Sequence, residues 1–137
     1  MTVKVLQIGL DPDLIDYTST DFAQFKGLTR DALRKANDDN VAALRAAGFD
    51  VDNILIDFGE TAIDVIRDAI TTTRYDAVLI GAGVRMVASN TLLFESLINL
   101  VHTELPSARV IFNCRPQPTP DDIYRWFSSS RATEPKK

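Results

Sequence analysis

The sequence predicts a doubly wound α/β fold, and three observations carry that reading. Four short runs, "VKVLQIGL" (3–10), "VDNILIDF" (51–58), "YDAVLIGA" (75–82) and "ARVIFNC" (108–114), alternate with helical patterns, the order of a parallel sheet covered by helices on both faces. Each run is nearly continuous in apolar residues, as strands buried on both faces are. The segments between them carry helix start and stop signals.

Taken in order, the first strand leads into "LDPDLIDYTSTDFAQFKG", which has no sustained periodicity. Compact α/β units need only about 2–6 residues there. Segment 10–28 therefore reads as a lid over a binding site, as an interface with a partner chain, or as an irregular loop pinned by Tyr17, Phe22 and Phe25. The first helix, "TRDALRKANDDNVAALRAAGF", takes Thr29 as its cap and Leu33, Ala36, Leu44 and Ala47 as its inner stripe. Gly48 stops it, being the residue type that tolerates a left-handed conformation. The second helix, "ETAIDVIRDAITTT", places Ile63, Ile66 and Ile70 on one face, with Thr61 and Asp64 at capping-box spacing. "SNTLLFESLINLVHTELP" is apolar around most of its circumference and ends before Pro106. "TPDDIYRWF" starts with Thr119 as cap, Pro120 in the first turn and acids beside the helix dipole. Four βα units with right-handed crossovers predict a small flavodoxin-like (βα)4 sheet with strand order 2-1-3-4. Ligands of such sheets bind beyond the carboxyl ends of the strands, where the strand order reverses.

The 137 residues predict a single domain over 1–130, with a polar tail at 131–137. A net charge of -4 disfavours general attraction to nucleic acid or to an anionic membrane. The apolar run at the N-terminus is too short, and too soon broken by Asp11-Pro12-Asp13, for a signal peptide or a spanning helix. Cys114 is the only cysteine, so no intrachain disulfide forms. A cytoplasmic location is the resulting expectation.

"IGAGVR" invites comparison with the dinucleotide fingerprint G-x-G-x-x-G. Gly81 and Gly83 fit its first two positions, but Met86 occupies the third. Only one strand follows, and it ends in Asn113-Cys114-Arg115 where an acid would bind the ribose. An NADP-type reading thus survives only as a minor alternative, through Arg115. The plain reading is a tight turn whose glycines adopt backbone angles that other residues avoid. A further reading makes it an anion site, with Gly81 and Gly83 offering amides and Arg85 and Arg115 offering charge. In the opposite sense, both arginines could pair with Asp11, Asp13, Asp57 or Glu60 across the rim.

Asp11 and Asp13 end the first strand and Asp57 ends the second, the arrangement by which response-regulator receiver domains hold Mg²⁺ and accept a phosphoryl group. The resemblance stops where a receiver has a further strand between those acids, since residues 28–48 read only as helix. Asp11 and Asp13 remain a weak Mg²⁺ candidate. Glu95, Asn99 and His102 form one stripe of the third helical segment, read as solvent-facing by default and as an interface otherwise. His102 is the only histidine, about 15–20 Å along its helix from the crevice end by helical rise. A triad at the crevice and a zinc site are therefore both excluded.

The run "IDFGETA…YDAVLIGAGVR…LLFESLINLVH…ARVIFNCRP" resembles, across most of the chain, a family of short bacterial α/β proteins. The residues that carry the pattern include Glu60, Gly81, Gly83, Arg85, Glu95, Asn99, His102, Asn113 and Pro116. The resemblance implies a standalone domain and no particular chemistry. The functional expectation is a domain that binds a small anionic molecule, bearing phosphate or carboxylate. Gly81, Gly83, Arg85, Asn113, Arg115 and Tyr17 are its expected ligand residues, and no cofactor is assigned. Were it an enzyme, Asp11 would be the general acid or base, because closure of segment 10–28 would strip water from it. A homo-oligomer through helix 89–105 is expected. The competing expectation is a receiver-like or dimeric interaction module without catalysis.

Overall fold

The computed structural model describes residues 2–113 and 120–127. Its elements are β1 (Lys4–Leu10), α1 (Arg30–Ala46), β2 (Asp50–Ile56), α2 (Ala62–Thr72), β3 (Ala77–Ile80), α3 (Ala82–Arg85), α4 (Thr91–Glu104), β4 (Arg109–Phe112) and α5 (Pro120–Tyr124). Single 3-10 turns occur at Pro12–Leu14, Thr20–Phe22 and Ala88–Asn90. The strands are parallel and ordered β2-β1-β3-β4, the flavodoxin-like order that the sequence predicts. No described helix is long and apolar enough to cross a membrane.

Alternation along β1 divides the core in two. Leu6, Ile8 and Leu10 join Ile66 and Ile70 of α2 and Leu93, Leu97 and Val101 of α4. Val3 and Val5 join Val41 and Leu44 of α1 and Ile123 of α5 on the opposite face. Burial on both faces, predicted for all four runs, holds throughout β3. It fails at the sheet edges, where Asp52, Asn53, Ile54 and Leu55 of β2 are only half-buried and Arg109 of β4 is exposed.

Helix ends explain the positions of the strands that follow them. Thr29 caps α1 by accepting from the Ala32 amide at 3.1 Å. At the other end Gly48 has φ +99°, its amide bonds the Arg45 carbonyl, and the Phe49 amide reaches back to Leu44. This Schellman closure leads straight into β2. Ala47 is exposed, and Asn40 takes a buried place in the α1 stripe between Ala36 and Leu44. The capping box expected of Thr61 and Asp64 does not form, because Thr61 makes no side-chain cap. Asp57 caps α2 instead, accepting from the amides of Gly59, Thr61 and Ala62 and from the Thr61 hydroxyl.

Candidate functional site

At the carboxyl end of the sheet, on the α1 face, lies a cavity of about 470 Å³. Its origin can be read from the side-chain rows. The α1-facing residues of β1 run Val5, Gln7, Gly9, and the parallel register sets Gln7 between Asn53 and Leu79. One row higher, Gly9 and Gly81 lie side by side, since a Cβ on Gly81 would come within 4.0 Å of the Gly9 Cα. Two adjacent glycines leave the sheet bare where side chains would meet α1. Ala36 of α1, itself small, adds to the gap.

Segment 10–28 roofs this space. Phe22, Phe25 and Leu28 line it, and Phe22 is buried against Phe25 and Phe58. The segment is also tied across the crevice. Gln24 donates to the Met86 carbonyl at 2.8 Å, and the Ser89 hydroxyl donates to Asp21 at 2.9 Å. The aromatics therefore pin the loop and, in the same arrangement, enclose the cavity.

The Gly81–Gly83 turn differs in detail from its sequence-based reading. Neither glycine has a positive φ; Gly81 sits at φ −71°, ψ 159°. Close approach accounts for them instead. A Cβ on Gly81 would meet the Ile8 carbonyl oxygen at 3.4 Å, and one on Gly83 would press Leu10 at 3.3 Å. The turn opens only the single-turn α3, and the long α4 begins at Thr91. Asn90, 2% exposed, holds the step between them by donating to the Gly83 carbonyl at 3.0 Å. A dinucleotide turn would instead run its glycines directly into the long helix.

The predicted site residues separate into two groups. Gly81, Gly83 and Asn113 line the cavity. Arg85 does not; its guanidinium donates to the Asn113 carbonyl at 2.6 Å and to Asn113 Oδ1 at 3.1 Å. It also lies 5.3 Å from the Phe112 ring centroid, with Nε buried and unpartnered among the described residues. Arg85 thus braces the end of β4. Arg115 and Cys114 lie outside the described residues. Tyr17 packs against the larger core, and its hydroxyl donates to the Pro12 carbonyl at 2.7 Å. Burial there holds the phenol above its ordinary pKa.

The carboxylates stand beside the cavity, not in its lining. Asp11 is placed at the end of β2 by its amide, which donates to Ile56. Its carboxylate accepts from the Asp13 amide and lies 3.8 Å from Arg34 Nη2, while Asp13 lies 3.2 Å from the same nitrogen. These are exposed pairs of small energetic weight. Asp57 is held by its capping bonds, chiefly the Thr61 hydroxyl, which draw its pKa below the usual carboxylate range. No group of three His, Cys, Asp or Glu side chains able to hold a metal occurs among the described residues. Glu95, Asn99 and His102 are exposed along α4.

Sequence reasoning passed over an amide cluster beside the cavity. Gln7 Nε2 donates to Asn37 Oδ1 at 3.1 Å and to Asn53 Oδ1 at 3.3 Å, and Asn40 Nδ2 donates to Gln7 Oε1. Gln7, Asn37 and Asn40 all line the cavity. The signal was present as a glutamine inside "VKVLQIGL" and asparagines three apart on the inner stripe of α1. In comparisons with protein-family models and with curated proteins, nothing matches this chain.

Proposed function

We propose that the protein is a small-molecule-binding domain whose client occupies the cavity at the carboxyl ends of β1 and β3, beneath segment 10–28. The observation that carries this is a 470 Å³ space at the point where strand order reverses, the usual ligand position in open α/β sheets. Its walls are mainly apolar, so the client has an apolar body. An acidic group on the client, as the sequence leads one to expect, would be met by Lys26, the one charged side chain among the described residues of the lining, in place of Arg85.

Amide-detected NMR with a panel of phosphates, nucleotides, carboxylic acids and neutral metabolites tests this. A client is expected to shift Gly9, Gly81, Gly83 and Asn40 together. Shifts scattered over the surface, or none across the panel, would oppose it. Self-association through α4 belongs to the same proposal, because Leu92 on that helix is 74% exposed. Light scattering should then give a mass above one chain that falls in Leu92→Asp. The likeness to short bacterial α/β proteins is likewise a proposal.

A further inference from the structure

We infer that the inner end of the cavity selects an uncharged group that donates a hydrogen bond, such as a carboxamide or a ring N–H, and that Asn40 is the residue that reads it. This rests on the cavity being the binding site and specifies what binds there.

Depth comes first. Gln7 and Leu79 lie two residues before Gly9 and Gly81 on their strands, about 6–7 Å further from the mouth by strand rise, and both line the cavity. Asn40 borders the same space from α1 and is only 5% exposed. Its Oδ1 is buried and has no hydrogen-bond partner among the described residues. An unmet acceptor of this kind is destabilising in the free protein. A bound donor would remove that penalty.

The neighbouring amides determine which end of Asn40 is left over. Gln7 gives both hydrogens of its Nε2 to the oxygens of Asn37 and Asn53 and so presents its own oxygen to Asn40. Asn40 answers with Nδ2, which leaves Oδ1 as the free end. Charge then narrows the ligand. Among the described residues Lys26 is the only charged side chain in the lining, and it is exposed, on the roof. A carboxylate at the inner end would set acceptor against acceptor. An ammonium would be desolvated with no acid to neutralise it. A neutral donor meets neither obstacle.

Four probes with one phenyl body separate these cases: benzamide (neutral donor), acetophenone (no donor), benzoate (anion) and benzamidine (cation). Titrations followed by amide NMR should give benzamide the tightest binding, several-fold to about tenfold over acetophenone, as one added hydrogen bond allows. Its advantage should vanish in Asn40→Leu. Tightest binding by benzoate would overturn the inference, since an anion held by Lys26 at the mouth or by the Asn40 nitrogen would then outrank a donor at the inner end; tightest binding by benzamidine would overturn it on charge. Equal binding of all four at the crevice amides would refute selection at the inner end while leaving the site itself standing. Failure of all four to shift those amides would remove the site along with the inference. The wild-type comparison decides the matter even if Asn40→Leu does not fold.

Discussion

The two faces of the sheet share the same strands and have opposite upper halves. Against α2 and α4, β1 presents Leu6, Ile8 and Leu10, all buried in the larger core. Against α1 it presents Val5, then Gln7, then Gly9, and the packing gives way to an amide cluster and then to a cavity. A strand's side chains alternate strictly between faces, so one heptapeptide encodes a close-packed wall and a vacant one. Stability should therefore depend chiefly on the first face and binding on the second.

The largest expected effect lies on the packed face. Leu97 and Ile8 are fully buried there, so Leu97→Ala or Ile8→Ala should each destabilise by about 2–5 kcal/mol in denaturant unfolding. A loss below about 1 kcal/mol would show that this face is not the closely packed one. Gln7→Leu on the open face should do less harm, about 1–3 kcal/mol, through the bonds withdrawn from Asn37, Asn40 and Asn53. If Gln7→Leu proved stabilising, the amide cluster would be dispensable to the fold and its retention a matter of binding alone.

Smaller again is Gly9→Ala, for which the nearest atoms to an added Cβ are Leu55 Cδ2 at 3.7 Å and Asn37 Oδ1 at 3.8 Å. These are ordinary contacts, and alanine restricts the unfolded chain, so stability should stay level or rise by up to about 1 kcal/mol. The smallest change concerns pH. Asp57 is ionised more readily in the folded protein than in the unfolded chain, so its contribution is present above the ordinary carboxylate range and is lost as pH falls through its depressed pKa. Asp57→Asn should lower the melting temperature at pH 7, and the gap from wild type should close as the solution is taken below that pKa. A gap that persists there would assign the effect to capping geometry and not to charge.

Much of this molecule is written in its periodicity. The parallel sheet, its order, the Thr29 cap and the Gly48 stop each follow from local chemistry that no tertiary contact overrides. Competing local partners account for the misreading at α2, where Asp57 reaches the free amides before Thr61 can. The candidate site was legible only in its position. "GAGVR" points to the crevice where the cavity lies, yet its arginine braces β4, and the glycines serve close approach and not unusual backbone angles. Gln7, Asn37 and Asn40 were harder to see because polar residues are read as surface until a neighbouring element is known to cover them. The pairing of Gly9 with Gly81 appears only once β1 and β3 are set side by side.

The central claim, that the void between Gly9 and Gly81 is the binding site, is tested most directly by filling it. Valine at position 9 starts from a Cβ that fits and extends its methyl groups into the cavity. Calorimetric titration of Gly9→Val with the strongest client from the metabolite panel should show affinity reduced about tenfold or more, at an unchanged or higher melting temperature. Wild-type affinity in a folded Gly9→Val protein would contradict it.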